Sequence, residues 1–205
     1  MARILGRDAA SISAAAAIIK KGGLVAFPTD TVYGLGCDPW SGEAVDRLFE
    51  SKGRETKPIP VLCAGLAEAE DIVTLDDVAR GLAGRFWPGA LTIVAPLRRS
   101  VPSRLDQGTG WLGVRVPDSE IARSLALELG GWVTGTSANL SGQPSCRTAE
   151  EVDRCMGDRI DAVIDGGRTG GAESTVVKVV RGSVEVLRRG AIGIDSGIKR
   201  ESFNR

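Results

Sequence analysis

The sequence of 205 residues contains no histidine. Ser-His-Asp triads, Cys-His dyads and His-ligated metal sites all need that side chain, so these sites are excluded. The four cysteines, Cys37, Cys63, Cys146 and Cys155, form no C-x-x-C pair. Without a signal peptide they are typical of reduced thiols in a cytoplasmic protein. A cysteine nucleophile would need Lys, Arg or a helix N-terminus for its activation.

An excess of charge and a long apolar run are also missing. The 26 basic and 26 acidic residues cancel, so the net charge gives no indication of nucleic-acid binding. A zero net charge does not exclude a local basic groove. The longest apolar run, residues 14–19, is too short to span a bilayer, so no membrane association is predicted. No Walker A sequence is present, and any nucleotide must be bound differently from a P-loop enzyme.

The order of apolar segments predicts one α/β domain over 1–205, with a core from about 10 to 193 and a polar tail. Most helices and strands alternate, but a tight Arg181-Gly182 turn joins the last two strands, which favours a mixed, twisted open sheet with flanking helices. Helices are predicted at 11–21, 66–72 and 121–129, and after the N-caps Ser41, Asp76 and Thr148. Strands are predicted at 24–27, 58–63, 91–94, 111–116, 132–136, 162–164, 175–180 and 184–187. The polar segment 98–110 is either a lid or a plain surface loop.

Residues 27–36, FPTDTVYGLG, place two threonines, an acid and a tyrosine in a predicted turn at the end of a buried strand. Four further polar groups end apolar runs: KGR at 52–54, VRVP at 114–117, TSAN at 136–139 and EST at 173–175. Because open α/β sheets place ligands at strand ends, these groups are expected to form one site.

Three of these groups leave two interpretations open. Lys52 and Arg54 form either a phosphate clamp or a solvated helix end. Arg115 lies between two valines of a predicted strand, where burying an unpaired charge would cost free energy. It therefore either binds a ligand carboxylate or forms a salt bridge with Asp30, Asp118 or Asp165. Ser137 and Asn139 either bind a phosphate, a ribose or metal-bound water, or cap a turn.

These motifs, together with WPG at 87–89, SANLSG at 137–142 and ESTV at 173–176, resemble the YrdC-like family of threonylcarbamoyl-AMP synthases from about residue 10 to 193. The resemblance implies a twisted α/β fold with a concave, positively charged cavity. It also implies a nucleotidyltransferase that makes threonylcarbamoyl-AMP and pyrophosphate from L-threonine, bicarbonate and ATP. A partner transferase would then use the adenylate to modify tRNA.

The resemblance also implies the roles of individual residues. Lys52 and Arg54 would be catalytic by holding the ATP phosphates. Arg115 would bind the carboxylate of threonine, and Tyr33 would line the threonine pocket. The other implied contacts are Asn139, Ser145 and Arg188 with the nucleotide, and Thr29, Ser137 and Ser174 with the threonine amino and hydroxyl groups. Mg²⁺ would arrive with ATP and be held partly by substrate oxygens, with no metal site of the protein's own.

The sequence departs from the family pattern in places. Cys63 stands where some members carry a histidine near threonine, and Glu55 stands where proline is common. Arg188-Arg189-Gly190 replaces Arg-Pro-Gly, so either arginine could meet the nucleotide. The chain resembles the short, single-domain form. The alternatives are a double-stranded RNA or tRNA-binding module without synthase activity, and a related carbamoyl-adenylate transferase.

Overall fold

The computed structural model describes residues 1–53 and 56–194, so Arg54, Glu55 and the predicted tail after Ile194 lie outside the described residues. The described helices are α1 (Ala9–Lys20), α2 (Gly42–Ser51), α3 (Leu66–Ile72), α4 (Asp77–Phe86), α5 (Ser103–Asp106), α6 (Glu120–Glu128) and α7 (Ala149–Met156). The described strands are β1 (Arg3–Leu5), β2 (Val25–Pro28), β3 (Tyr33–Gly36), β4 (Val61–Cys63), β5 (Leu91–Pro96), β6 (Trp111–Arg115), β7 (Trp132–Thr134), β8 (Thr136–Ser137), β9 (Ala162–Ile164), β10 (Thr175–Val180) and β11 (Ser183–Arg188). In these ranges, no helix combines the length and the apolar composition that crossing a membrane requires.

The strands form a five-stranded sheet of order β1-β9-β2-β3-β8 and a six-stranded sheet of order β11-β10-β5-β6-β4-β7. Both sheets are mixed, because β2 is parallel to β9 and antiparallel to β3, and β5 is parallel to β10 and antiparallel to β6. The predicted mixed α/β fold is confirmed, with its strands divided over two sheets where one was expected. The predicted β10–β11 hairpin is also confirmed.

The predicted helix N-caps are confirmed. The side chains of Ser41, Asp76 and Thr148 accept hydrogen bonds from backbone N–H groups three residues later. The expected start of α1 at Ser11 is wrong, because Asp8 is the N-cap and accepts from the Ser11 N–H. Two alanines at 9 and 10 extend the helix by a favourable half turn.

Two segments at the centre of the molecule differ from prediction. Residues 33–36 form a strand paired with β2, so only 29–32 make the turn. The single strand expected at 132–136 is divided at Gly135, where β7 pairs with β4 and β8 pairs with β3 of the other sheet. A Cβ atom at Gly135 would lie 2.4 Å from Leu62 Cγ, so this crossing between sheets needs a residue without a side chain.

The six-stranded sheet has one core face and one open face. Strand residues alternate between faces, and the core face carries Leu91, Ile93, Leu112, Val114 and Val177. The residues between them, Thr92, Val94, Gly113, Arg115 and Val176, therefore share the opposite face. Arg115 and Thr92 are polar, and this face is where a ligand site can form.

The segment 98–110 is fixed to the helices beside it. Arg99 pairs with Asp71 of α3 at 2.9 Å, and Arg104 pairs with Asp46 of α2 at 3.0 Å. Leu105, in the short helix α5, is fully buried. These contacts favour the surface connection over the lid.

Replacing Gly84 by alanine should stabilise the protein. Gly84 lies exposed inside α4, and apart from its chain neighbours and the backbone of the same helix, no described atom would lie within 4 Å of an added Cβ. Alanine restricts the unfolded chain, so we expect the free energy of unfolding to rise by about 0.5–1 kcal/mol, measured by urea denaturation. Gly36→Ala is the matched control, because its Cβ would lie 2.5 Å from the Thr134 carbonyl oxygen. It should lower stability by about 1–3 kcal/mol, and a gain in stability there would contradict the packing described.

Candidate active site

A cavity of about 600 Å³ lies on the open face of the six-stranded sheet. Alternate residues of β5, β6 and β10 form its floor, and the turn after β2 with β3 and β8 forms the facing wall. The polar and charged lining residues are Thr29, Thr31, Lys57, Thr92, Thr109, Trp111, Arg115, Thr136, Ser137, Glu173, Ser174, Lys178 and Arg188. The cavity therefore brings together residues from four of the five polar groups that the sequence indicates.

The described lining carries the basic residues Lys57, Arg115, Lys178 and Arg188, and Glu173 is its one described acid. The ammonium of Lys178 lies 4.2 Å from the centre of the Trp111 ring, a cation–π contact. A positively charged cavity stays a prediction, because Arg54 lies outside the described residues.

Arg115 ends β6 with its side chain only 6% exposed. Nε donates to the Gly89 carbonyl at 2.8 Å, Nη1 to Thr31 Oγ1 at 3.1 Å and Nη2 to Asp30 Oδ1 at 2.5 Å. Burial lowers the pKa of the guanidinium, and the Asp30 carboxylate opposes that shift. Of the three candidate aspartates, Asp30 is the one that pairs with Arg115 within the described chain. A guanidinium has five N–H bonds, so one on each terminal nitrogen remains for a ligand.

A chain of hydroxyl groups supports Arg115 from the turn after β2. Thr31 Oγ1 accepts from Arg115 and lies 2.9 Å from Thr29 Oγ1, which donates to the Val32 carbonyl at 2.7 Å. Thr29 has one hydroxyl proton, so Thr31 must donate to Thr29. Thr29 also accepts from the Thr31 N–H at 3.1 Å, which fills its hydrogen-bonding capacity. Thr29 thus shapes the turn that holds Arg115, and its contact with threonine stays a prediction.

A second network lines the cavity beside β10. Arg188 donates from Nε and Nη2 to the Ser174 carbonyl, and from Nη2 to Ser174 Oγ at 3.1 Å. Ser174 Oγ lies 2.9 Å from Thr92 Oγ1. Glu173 pairs with Arg188 Nη1 and accepts from Ser145 Oγ at 2.7 Å. The network therefore connects Ser145 and Arg188, two predicted nucleotide contacts, with Ser174, a predicted threonine contact.

Lys52 lies under the segment after β8. Its ammonium group donates to the carbonyls of Ser137 and Asn139, the latter at 2.7 Å. Lys52 is buried, with only 3% of its surface exposed. The Asn139 amide donates to the carbonyls of Leu140 at 3.0 Å and Gln143 at 2.6 Å. These contacts are those of a capped turn. The Ser137 hydroxyl lines the cavity and has no hydrogen-bond partner among the described residues.

Tyr33 is fully buried, and its hydroxyl donates to the Gly167 carbonyl at 2.9 Å and accepts from the Gly166 N–H. Burial raises the pKa of this phenol. Tyr33 therefore anchors the glycine-rich segment and is not among the described lining residues.

The predicted site residues fall into three sets. The cavity lining includes Thr29, Arg115, Ser137, Ser174 and Arg188. Lys52, Asn139, Ser145 and Tyr33 support that lining from outside it. Arg54 lies outside the described residues, so its contact with ATP stays a prediction.

The structure corrects the position of Arg188 and bears on two points that the sequence left open. Arg188 is the last residue of β11, not a residue beyond it, and it lines the cavity whereas Arg189 does not. Leu62 faces the cavity, while Cys63 points into the core. The strand alternation of β4 therefore places Leu62, not Cys63, next to the ligand space.

Sequence reasoning missed Thr92 as a site residue, and it gave Thr31 and Glu173 no role of their own within the polar groups at 27–36 and 173–175. Thr92 gave the same signal as Arg115, a polar residue inside an apolar strand, and it is 3% exposed. The sequence places Glu173 in the predicted site group EST but does not indicate its partners. Its link to Ser145 joins residues 28 positions apart, which no local pattern indicates.

Thiol reagents should modify Cys155 first in the native protein. Burial raises the pKa of Cys37 and of Cys146 to about 12, and it raises that of Cys63 further, while Cys155 is partly exposed. Since the thiolate is the reactive form, three thiols should stay inert at pH 8. A thiol titration should show one fast group in buffer and four in denaturant, and Cys155→Ser should remove the fast one. Several fast groups in that variant would contradict the burial.

Comparisons with known proteins agree with this architecture. A family model described as Sua5_yciO_yrdC, telomere recombination, matches residues 17–190. The threonylcarbamoyl-AMP synthase of Bacillus subtilis is 40% identical over 185 residues, which cover 88% of this chain and 54% of the relative. The protein of that name from Vibrio cholerae is 36% identical over 84% of this chain and 93% of its own length.

Among solved structures, that of Pyrococcus abyssi Sua5 complexed with L-threonine has a TM-score of 0.87 and 37% identity, over 93% of this chain and 57% of that one. The chain spans little more than half the length of the B. subtilis and P. abyssi proteins. Sequence and fold agree over nearly the whole described chain, and the chain therefore belongs to the Sua5/YciO/YrdC family.

Proposed function

We propose that this chain makes threonylcarbamoyl-AMP and pyrophosphate from L-threonine, bicarbonate or CO2, and ATP. The observation that carries the proposal is Arg115, a buried guanidinium that lines the cavity and has one further N–H on each terminal nitrogen. The hydroxyls of Ser137 and Ser174 line the same space. A carboxylate, an amine and a hydroxyl on one small ligand match that set of donors and acceptors. The relatives named threonylcarbamoyl-AMP synthase support the same assignment.

In this proposal the protein acts by alignment and needs no nucleophile of its own. The threonine amine attacks the carbon of CO2, with release of one amine proton to water, or the carbon of bicarbonate, with loss of water, and forms a carbamate. A carbamate oxygen then attacks the α-phosphorus, and the bond to the β-phosphate breaks with its electron pair leaving on pyrophosphate. Arg115 holds the threonine carboxylate so that the amine is correctly placed, and Arg188 neutralises phosphate charge. The lack of histidine therefore removes nothing that the reaction requires.

Mg²⁺ is proposed to enter with ATP, bound mainly by phosphate oxygens. Glu173 is the carboxylate that the described lining offers, and it already accepts from Ser145 and pairs with Arg188. That donor set suits an ion that keeps most of its ligands from water and phosphate. The ion would neutralise phosphate charge, and Glu173 would contribute at most one oxygen.

The activity of a partner transferase on tRNA, and a cytoplasmic location, belong to the same proposal. Direct binding of tRNA or double-stranded RNA is the competing function, because the basic lining residues could contact any phosphate. The zero net charge of the sequence gives that alternative little support.

Pyrophosphate release from ATP tests the proposal. With bicarbonate and Mg²⁺, release should depend on L-threonine, and L-threonine amide, which lacks the carboxylate, should support far less. Release that ignores L-threonine, or none together with salt-dependent binding of an RNA duplex, would reject the synthase. In the second case the RNA-binding function would replace it.

A further inference from the structure

The Asp30–Arg115 ion pair lies on a wall between two cavities. Arg115 lines the cavity of about 600 Å³, whereas Asp30 lines a neighbouring groove of about 1200 Å³ between α1, α6 and the segment 166–170. Thr29 lines both spaces. Asp30 is not among the residues of the ligand cavity, so it holds the guanidinium from the side away from a ligand.

We propose that Asp30 is a positioning residue, which orients Arg115 and thereby sets the affinity of the cavity for the carboxylate of an amino-acid ligand. The inference rests on the proposed function for the identity of that ligand. Nothing in the proposal gives Asp30 a contact with substrate, because the Arg115 guanidinium lies between them.

The geometry around Arg115 supports this role. Three acceptors from two separate turns, Asp30, Thr31 and Gly89, bind its three nitrogens at 2.5–3.1 Å. An arginine side chain has several rotatable bonds and loses considerable rotamer freedom when it is fixed. Since Asp30 supplies the one charged acceptor of the three, its hydrogen bond should be the strongest.

The negative charge of Asp30 could also oppose a ligand carboxylate. The Asp30 side chain is 16% exposed towards a wide groove, where water screens its longer-range repulsion. The direct hydrogen bond to Nη2 is short and is not screened in this way. Orientation should therefore outweigh repulsion, and removal of Asp30 should weaken carboxylate binding.

The test uses Asp30→Ala and Asp30→Asn in the full chain, with Asp118→Asn as control. The asparagine oxygen can still accept from Arg115, whereas alanine cannot. Asp118 lies in the neighbouring groove, with no bond to Arg115 in the described part of the chain. Calorimetry should show the Kd for L-threonine raised about tenfold or more by Asp30→Ala and less than about threefold by Asp30→Asn. The KM for ATP should stay the same, and Asp118→Asn should change neither value.

L-Threonine amide separates positioning from a merely structural role. Wild-type protein should prefer L-threonine over the amide, and Asp30→Ala should lower that preference by the same factor as it raises the Kd. An unchanged preference, or tighter binding of L-threonine by Asp30→Ala, would overturn the inference. If Asp30→Ala does not fold, Asp30→Ser, whose shorter side chain carries no carboxylate, should show the same loss of preference. A wild-type protein that fails to bind L-threonine would instead reject the proposed function.

Discussion

Arg115→Ala is expected to abolish threonine-dependent pyrophosphate release and to lower stability at the same time. Loss of a charge-assisted contact with the threonine carboxylate, and of the alignment it provides, should lower kcat/KM by about a hundredfold or more. The substitution also leaves the Asp30 carboxylate without its cation, and the Asp30 side chain is only 16% exposed. Breaking a buried pair on one side costs about 3–5 kcal/mol, and partial contact of Asp30 with the groove should place the loss near the lower end. Steady-state kinetics and urea denaturation measure the two effects.

The double variant Asp30→Ala with Arg115→Ala separates these two causes. Removing both charges leaves no unpaired carboxylate, so stability should recover most of what the single Arg115 variant lost. Activity should not recover, because the carboxylate contact is still missing. If activity returned with stability, the role of Arg115 would be structural and the proposed threonine contact would be wrong.

Local signals in the sequence predicted much of this fold. Ser41, Asp76 and Thr148 each precede a helix with apolar spacing, and each forms the expected hydrogen bond. Capping depends on neighbours three residues away, so a local pattern is sufficient. Arg115 was also identifiable, because a charge between two valines needs a partner wherever the strand is buried.

Features that depend on distant contacts could not be predicted. The division at Gly135 arises from the packing of Leu62 against it, 73 positions earlier in the chain. An apolar strand with a glycine near its end gives no indication that two sheets meet there. The choice of Asp30 as the partner of Arg115 similarly depends on how the turn after β2 meets the end of β6, 85 positions away.

Lys52 shows how the same cation can satisfy two interpretations. A basic residue at the end of a helix is ordinarily solvated, and the family resemblance implies that Lys52 holds ATP phosphates. Here its ammonium group is bound to the carbonyls of Ser137 and Asn139. It thereby fixes the segment that presents the Ser137 hydroxyl to the cavity. Lys52 therefore acts either by holding this segment or by contacting phosphates directly. Removing its ammonium group should lower both stability and activity in the first case, but only activity in the second.

Lys52→Met should therefore lower both stability and activity. Methionine keeps most of the side-chain volume but leaves the buried Asn139 carbonyl without the Lys52 donor, whereas the Ser137 carbonyl keeps its bond from the Asn139 N–H. The expected cost is about 1–3 kcal/mol in the free energy of unfolding. The segment 137–143 should become less ordered, and kcat/KM for ATP should fall by about tenfold or more, since misplacement of a site group is costly. Urea denaturation and the pyrophosphate assay measure the two quantities on the same preparation.

The matched control is Lys57→Met, at an exposed lysine that lines the ligand cavity. The free energy of unfolding of this variant should differ from that of the wild type by less than about 0.5 kcal/mol, because surface substitutions seldom change it by more. If Lys52→Met lowered activity but left stability at the value of this control, the carbonyl contacts would be energetically unimportant. Lys52 would then act directly on the phosphates, as the family resemblance implies. A combined loss would instead show that buried contacts of Lys52 maintain the segment on which the site depends.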